Sequence, residues 1–187
     1  MIMEKKQYFT YLGGHHKQNG DWREEFNKIA QNLTSGLKFG IWGIDPFKRN
    51  IDEADCEQIV GRDFSIIIDS RLNYVVLRAM QAGSILSTGA TCEKMLGFYL
   101  SKPVIIISEP EYDKTYPSSD AHFEKWHHPF VEVIANVIVP NIEGAVKWII
   151  SDIIKPTPRI NWREKIGVLS RQYRFGQGDD IDPFEIS

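Results

Sequence analysis

The chain has 187 residues, enough for one compact core and short for two. With 42% hydrophobic and 25% charged residues it has the balance of a soluble globular protein. A net charge of -3 gives no global field to draw in nucleic acid or an anionic membrane, and no apolar run reaches membrane-spanning length. Aromatic residues, at 12%, suit a protein that packs or stacks flat rings. Cys56 and Cys92 are the only cysteines, and both fall in segments read as helical, which fits a reducing compartment better than a disulfide framework. The opening MIMEKKQYF is followed by no apolar h-region, so the expectation is a cytoplasmic protein without a signal peptide.

Apolar segments alternate with amphipathic ones along the chain, the pattern of parallel β/α architecture. Residues 8–12 read as a first strand, closed by Gly13 and Gly14. Asp21, with Glu24 three residues later, makes a capping-box start for a first helix. Trp22, Phe26, Ile29, Ala30 and Leu33 share its inner face, and Gly36 stops it. Residues 38–44 predict the second strand, ended by Asp45 and Pro46. A second helix is expected over 51–61, then a strand buried on both faces at 64–68, where Phe-Ser-Ile-Ile-Ile is mostly apolar. Residues 71–82 could form an extra helix through Leu72, Val75, Val76 and Ala79. A loop of small residues over 83–89 leads to a helix over 90–100 and a buried strand over 103–107. Residues 109–129, rich in Pro, Asp and His, read as a long functional loop. The last strand is expected at 136–139 and the last long helix from Pro140 and Asn141 through Ile153. From Pro156 the pattern decays into an aromatic and then acidic tail, so the division is a domain over 1–155 and an extension over 156–187. About five strands with intervening helices make a single-domain doubly wound α/β fold with a mostly parallel sheet, flavodoxin-like, of order 2-1-3-4-5.

In such folds the ligand sits beyond the carboxyl ends of the strands, which draws the eye to the turn before the helix that carries Glu93. Gly89, followed by the first turn of a helix, offers free backbone N–H groups to an anion, and Ser87, Thr88 and Thr91 add small hydroxyls. That cradle favours a phosphate or a sugar, though it matches no Walker motif. Glu93 lies one turn inside. An acid there also complements the helix dipole, so spacing alone does not make it reactive. His15, His16, His122, His127 and His128 lack the spacing of a zinc site, and neither a metal nor a cofactor is expected.

The same residues carry a resemblance. Gly89-Ala90-Thr91-Cys92-Glu93, with Gly97-Phe98-Tyr99-Leu100-Ser101-Lys102-Pro103-Val104-Ile105 after it, resembles the nucleoside 2-deoxyribosyltransferase superfamily. Asp55 to Asp63, followed by the apolar run, looks like that family's helix-to-strand signature, and Tyr11-Leu12-Gly13-Gly14 with Asp21-Trp22-Arg23 is similar to its opening. The resemblance implies that Glu93 is a nucleophile attacking the anomeric carbon of a ribosyl unit and holding it covalently. It implies that Asp55 contacts and protonates the base, that Tyr11 orients Glu93, and that Gly13 and Gly14 let the backbone approach the ligand. The bland alternative for Asp55 is a helix-capping or surface acid.

One departure concerns Ser87, six positions before Glu93, where the transferases usually place an Asp that binds sugar hydroxyls. Serine there is more like relatives that hydrolyse nucleoside 5′-monophosphates, because a neutral donor tolerates a dianion. A second is the stretch over 70–84, which reads as an insertion before the catalytic loop. Asp69, at the expected strand end, is a candidate for a sugar hydroxyl or a cap of the inserted helix. His15 is a candidate phosphate or base contact, and His128 a candidate contribution to a neighbouring subunit's site. The expected partner is a small nucleoside or nucleotide, with no nucleic acid and no membrane, in a homodimer or larger homo-oligomer. The activity implied is transfer of the (deoxy)ribosyl group or its hydrolysis; a non-catalytic nucleotide sensor and cleavage of a dinucleotide such as NAD are the alternatives.

Overall fold

The short apolar runs become parallel strands and the amphipathic stretches become the helices that cover them. The computed structural model describes residues 5–14, 22–48, 56–79, 86–109, 133–159 and 161–176. In chain order these hold β1 (Lys6–Gly13), α1 (Trp22–Thr34), β2 (Phe39–Ile44), a 3-10 turn (Pro46–Lys48), α2 (Cys56–Ile68) and β3 (Leu72–Arg78). They continue with α3 (Thr88–Tyr99), β4 (Val104–Ile107), β5 (Val137–Val139), α4 (Ile142–Ile154) and α5 (Trp162–Gly176). No helix among the described residues is long and apolar enough to cross a membrane.

The strands form one five-stranded sheet of order β2-β1-β3-β4-β5, and every pair is parallel. This is the doubly wound, flavodoxin-like arrangement expected from the pattern of elements. Each face buries its own apolar layer. On one, Trp22, Phe26 and Ala30 of α1 and Ile142, Ala145, Val146 and Ile149 of α4 pack with Leu12, Val76 and Ile105. On the other, Ile66 and Ile67 of α2 and Ala90 of α3 pack with Tyr11, Val75, Leu77 and Ile106. Alternate residues of each strand thus serve opposite layers. The chain runs from β1 outward to β2 and from β3 outward to β5, so the winding reverses between β1 and β3. In open α/β sheets a ligand crevice lies at the carboxyl ends of such a pair.

The middle of the chain differs from the sequence reading. Residues 64–68 are not a strand but the last turns of α2, and β3 is Leu72–Arg78, inside the stretch read as an extra helix. A short apolar run fits a buried strand and a buried helix end equally well by periodicity. Context decides: Arg62, Ile66 and Ile67 are buried while Ile68 is exposed, a helical stripe. In β3, Leu72, Tyr74, Val75, Val76 and Leu77 are all buried, as befits a strand covered on both faces. No insertion therefore separates the third strand from the loop before α3; the supposed insertion largely is that strand.

The decaying pattern after Pro156 also contains structure, the helix α5. Asn161 caps it, its side chain accepting from the backbone N–H of Arg163 at 3.0 Å and Glu164 at 3.4 Å. Buried Asp152 ties this end to the core: it accepts from the Tyr74 hydroxyl at 2.9 Å, from Thr157 N at 2.8 Å and from Arg159 Nη1 at 2.9 Å. Tyr99 and Trp162 stack with centroids 4.8 Å apart, joining α5 to α3.

Candidate active site

β1 ends in Tyr11, Leu12 and Gly13, with Gly14 just beyond, at the point where the winding reverses. By strand alternation Tyr11 and Gly13 face the α2 and α3 side. α3 starts with Ser87 as its N-cap, the side chain accepting from Ala90 N at 3.3 Å. Its inward stripe is Ala90, Glu93, Lys94, Gly97 and Phe98, so the helix turns a glutamate toward the end of β1. The Tyr11 hydroxyl donates to Glu93 Oε1 at 2.8 Å, a contact between residues 82 positions apart. Glu93 is only 7% exposed, and its Oε2 is buried with no hydrogen-bond partner among the described residues. That oxygen lies over Gly13, where any Cβ would run into it, into Leu77 and into the Tyr11 ring. Gly14, at φ +123°, presses against the backbone of Arg78, where a Cβ would come within 3.1 Å of the carbonyl oxygen. Glycine is thus needed at both positions, for room at the first and for room and conformation at the second.

Charge around the carboxylate is mixed. Burial pushes the Glu93 carboxyl up to about 7; the Asp63 charge adds to the rise, while the Tyr11 hydrogen bond, Arg23 and Arg62 oppose it. Burial and the neighbouring Glu93 charge raise Tyr11 far above the ordinary phenol range, so it stays protonated as a donor. Buried Arg23 donates from Nε to Leu12 O at 3.0 Å and from Nη2 to Gly14 O at 2.6 Å, stapling the start of α1 to the end of β1. Its guanidinium and that of Arg62 each lie 4.8 Å from the Phe47 ring centroid. Arg62 pairs with Asp63 at 2.7 Å, and Arg23 lies 3.5 Å from Asp45. Across the crest, Arg78 Nη2 donates to both Glu109 oxygens, at 2.7 and 2.8 Å.

Of the residues singled out from sequence, Tyr11, Gly13, Gly14 and Glu93 converge here. Ser87 and Gly89 stand exposed at the start of α3, and the Ser87 oxygen is occupied as a helix cap. Asp55, His15 and His128 lie outside the described residues. Asp69 is misplaced by the sequence reading. It follows α2 and precedes β3, so it sits at the amino end of the sheet, opposite Glu93, where it binds Arg71 at 2.6 Å. That pair holds the Asp69 carboxyl below its ordinary range. A cavity of about 360 Å3 opens there, lined by Phe9, Ile44, Ser65, Ile66 and Leu72 with the Asp69–Arg71 pair, but it does not include Glu93.

Sequence reasoning assigned no role to Arg23, Asp63, Arg78 or Glu109. Arg78 and Glu109 were legible in principle, as the charged residues ending or following apolar strands; Arg78 was hidden by reading its strand as a helix. Asp63 becomes visible only once α2 is extended, because the turn that buries Arg62 then brings both toward Tyr11. A buried carboxylate with one oxygen fixed and the other bare can act as a nucleophile or as a base near neutral pH. No family model matches the chain, and no curated protein compared with it matches.

Proposed function

We propose that the chain breaks the N-glycosidic bond of a small nucleoside or nucleotide, with Glu93 as the nucleophile. What carries this reading is the Glu93 carboxylate itself: Oε1 is fixed by Tyr11 and Oε2 is bare above Gly13, at the switch point of a doubly wound sheet. The likeness of its local sequence to the nucleoside 2-deoxyribosyltransferases supplies the reaction class. Oε2 attacks the anomeric carbon, the bond from carbon to base nitrogen breaks, and the base leaves with the electron pair. The base takes a proton from an acid, the role the resemblance gives to Asp55. A second base or a water then attacks the anomeric carbon and releases Glu93, the incoming group giving its proton to the acid. Both displacements invert, so the product retains configuration.

With β3 at Leu72–Arg78, the apparent insertion no longer argues against an operative site of the superfamily type. Ser87 favours a 5′-monophosphate as substrate, because a serine beside the start of α3 does not repel a dianion, and the resemblance to relatives that hydrolyse such nucleotides favours water as acceptor. Incubation with a panel of nucleosides and nucleoside monophosphates is expected to release free base, or to exchange it when a second base is added. Glu93→Ala abolishes turnover while ligand still binds. No release and no exchange across the panel, or a fully active Glu93→Ala, would overturn the assignment.

A further inference from the structure

Arg78 and Glu109 end or follow neighbouring strands at the crest that carries Glu93, yet the proposed displacement uses neither. Leu77 belongs to the layer under α2 and α3 and Val76 to the layer under α1 and α4, so alternation sends Arg78 to the α1 and α4 face. Ile107 serves that same layer, and Glu109, two positions on, follows it. Gly13 and Gly14 join the two sides: the first makes room for Glu93 and the second packs on the Arg78 backbone. A ligand lying across the switch point with its anomeric carbon at Glu93 therefore meets the Arg78–Glu109 pair with a part that extends toward the other face.

The pair is incompletely satisfied. One guanidinium nitrogen, Nη2, holds both Glu109 oxygens, while Nε is buried with no hydrogen-bond partner among the described residues. A buried donor without an acceptor carries its desolvation cost uncompensated, and a ligand supplying the acceptor would recover it. The pair also sums to no net charge, so it gives no pull on a phosphate dianion. It suits a neutral edge with an acceptor beside a donor: a carbonyl oxygen toward the guanidinium and a ring N–H toward the carboxylate.

Resting on the glycosidic reading, we infer that Arg78 and Glu109 select the base, and that the site takes oxo bases carrying a lactam edge over amino bases. Hypoxanthine, guanine, uracil and thymine present a carbonyl beside a ring N–H. Adenine and cytosine present an amino group beside an unprotonated ring nitrogen, which would set donor against donor at Arg78 and acceptor against acceptor at Glu109. The carbonyl displaces one Glu109 contact, and a turn of the guanidinium then brings Nε to an acceptor.

Inosine and adenosine, which differ only at this edge, are the probes. Their binding to the full-length protein is measured by calorimetry, with uridine and cytidine as a second pair. The wild type is expected to bind the oxo member of each pair at least tenfold more tightly. Glu109→Gln and Arg78→Gln should each bring the members to near parity, and Arg78→Lys should retain part of the preference. Should Arg78→Gln fail to fold, Glu109→Gln reads the same quantity. Equal binding by the wild type, or a preference that survives both glutamine variants, overturns the inference. Selective binding that depends on Arg78 without any release of base would instead overturn the glycosidic reading and leave the selection standing.

Discussion

A glutamate that titrates near 7 sits on a slope of stability as well as of activity. In an unfolded chain the same carboxyl ionises near 4.5, so between these values the folded state holds a proton that the unfolded state has lost. The unfolded state then binds fewer protons, and stability falls as pH rises from about 4.5 to about 7 and levels off beyond. Glu93→Gln removes that burden. It is expected to leave stability nearly unchanged at pH 4 and to raise it by up to roughly 3 kcal/mol at pH 8, read from denaturant melts at both values. A variant destabilised at pH 8 would contradict the burial assigned to Glu93. Tyr11 acts in the opposite sense, since its hydrogen bond holds the Glu93 carboxyl down against burial. In Tyr11→Phe the rising limb of the pH–rate profile should move to higher pH, and activity should fall about tenfold more at pH 6.5 than at pH 9. An unshifted limb would mean that the hydroxyl serves packing alone.

The order of elements and most of their positions could be read directly, because β1, α1, β2, α3, β4, β5 and α4 each carry one clear period bounded by Gly, Pro, Asn or Asp. α2 and β3 could not. Ile66, Ile67 and Ile68 are as suitable for a strand as for a helix end, and the β-branched Val75 and Val76 fall at a spacing that a helix also accepts. Only packing shows that Ile68 faces outward and that Tyr74 through Leu77 are covered on both sides. That single exchange moved Asp69 to the wrong end of the sheet and concealed Arg78. The pairing of Tyr11 with Glu93 followed from the resemblance and not from spacing, since nothing local links residues 82 positions apart. At the start of α3, Ser87→Asp keeps a good N-cap and adds a negative charge. It is expected to preserve thermal stability and to swing preference from nucleoside monophosphates to nucleosides, measured as the ratio of kcat/KM values. An unchanged ratio would place any phosphate elsewhere.

At the scale of the whole molecule, the doubly wound sheet explains how residues far apart in the chain come together. The reversal of winding between β1 and β3 brings Gly13 of β1, Gly14 just after it, Arg78 of β3 and Glu93 of α3 to the carboxyl ends of the strands. Both layers of core pack beneath the crest, and buried Arg23 ties α1 to the end of β1, beside the desolvated Glu93. The central claim is that this carboxylate forms a bond to a sugar. The most direct test is mass spectrometry of protein quenched during turnover of nucleosides and their 5′-monophosphates. The expected result is an adduct of one (deoxy)ribosyl unit, with phosphate when a monophosphate is the donor, mapped to the peptide containing Glu93 and missing from Glu93→Gln. Release of base with no adduct on that peptide, or an adduct that persists in Glu93→Gln, would contradict it.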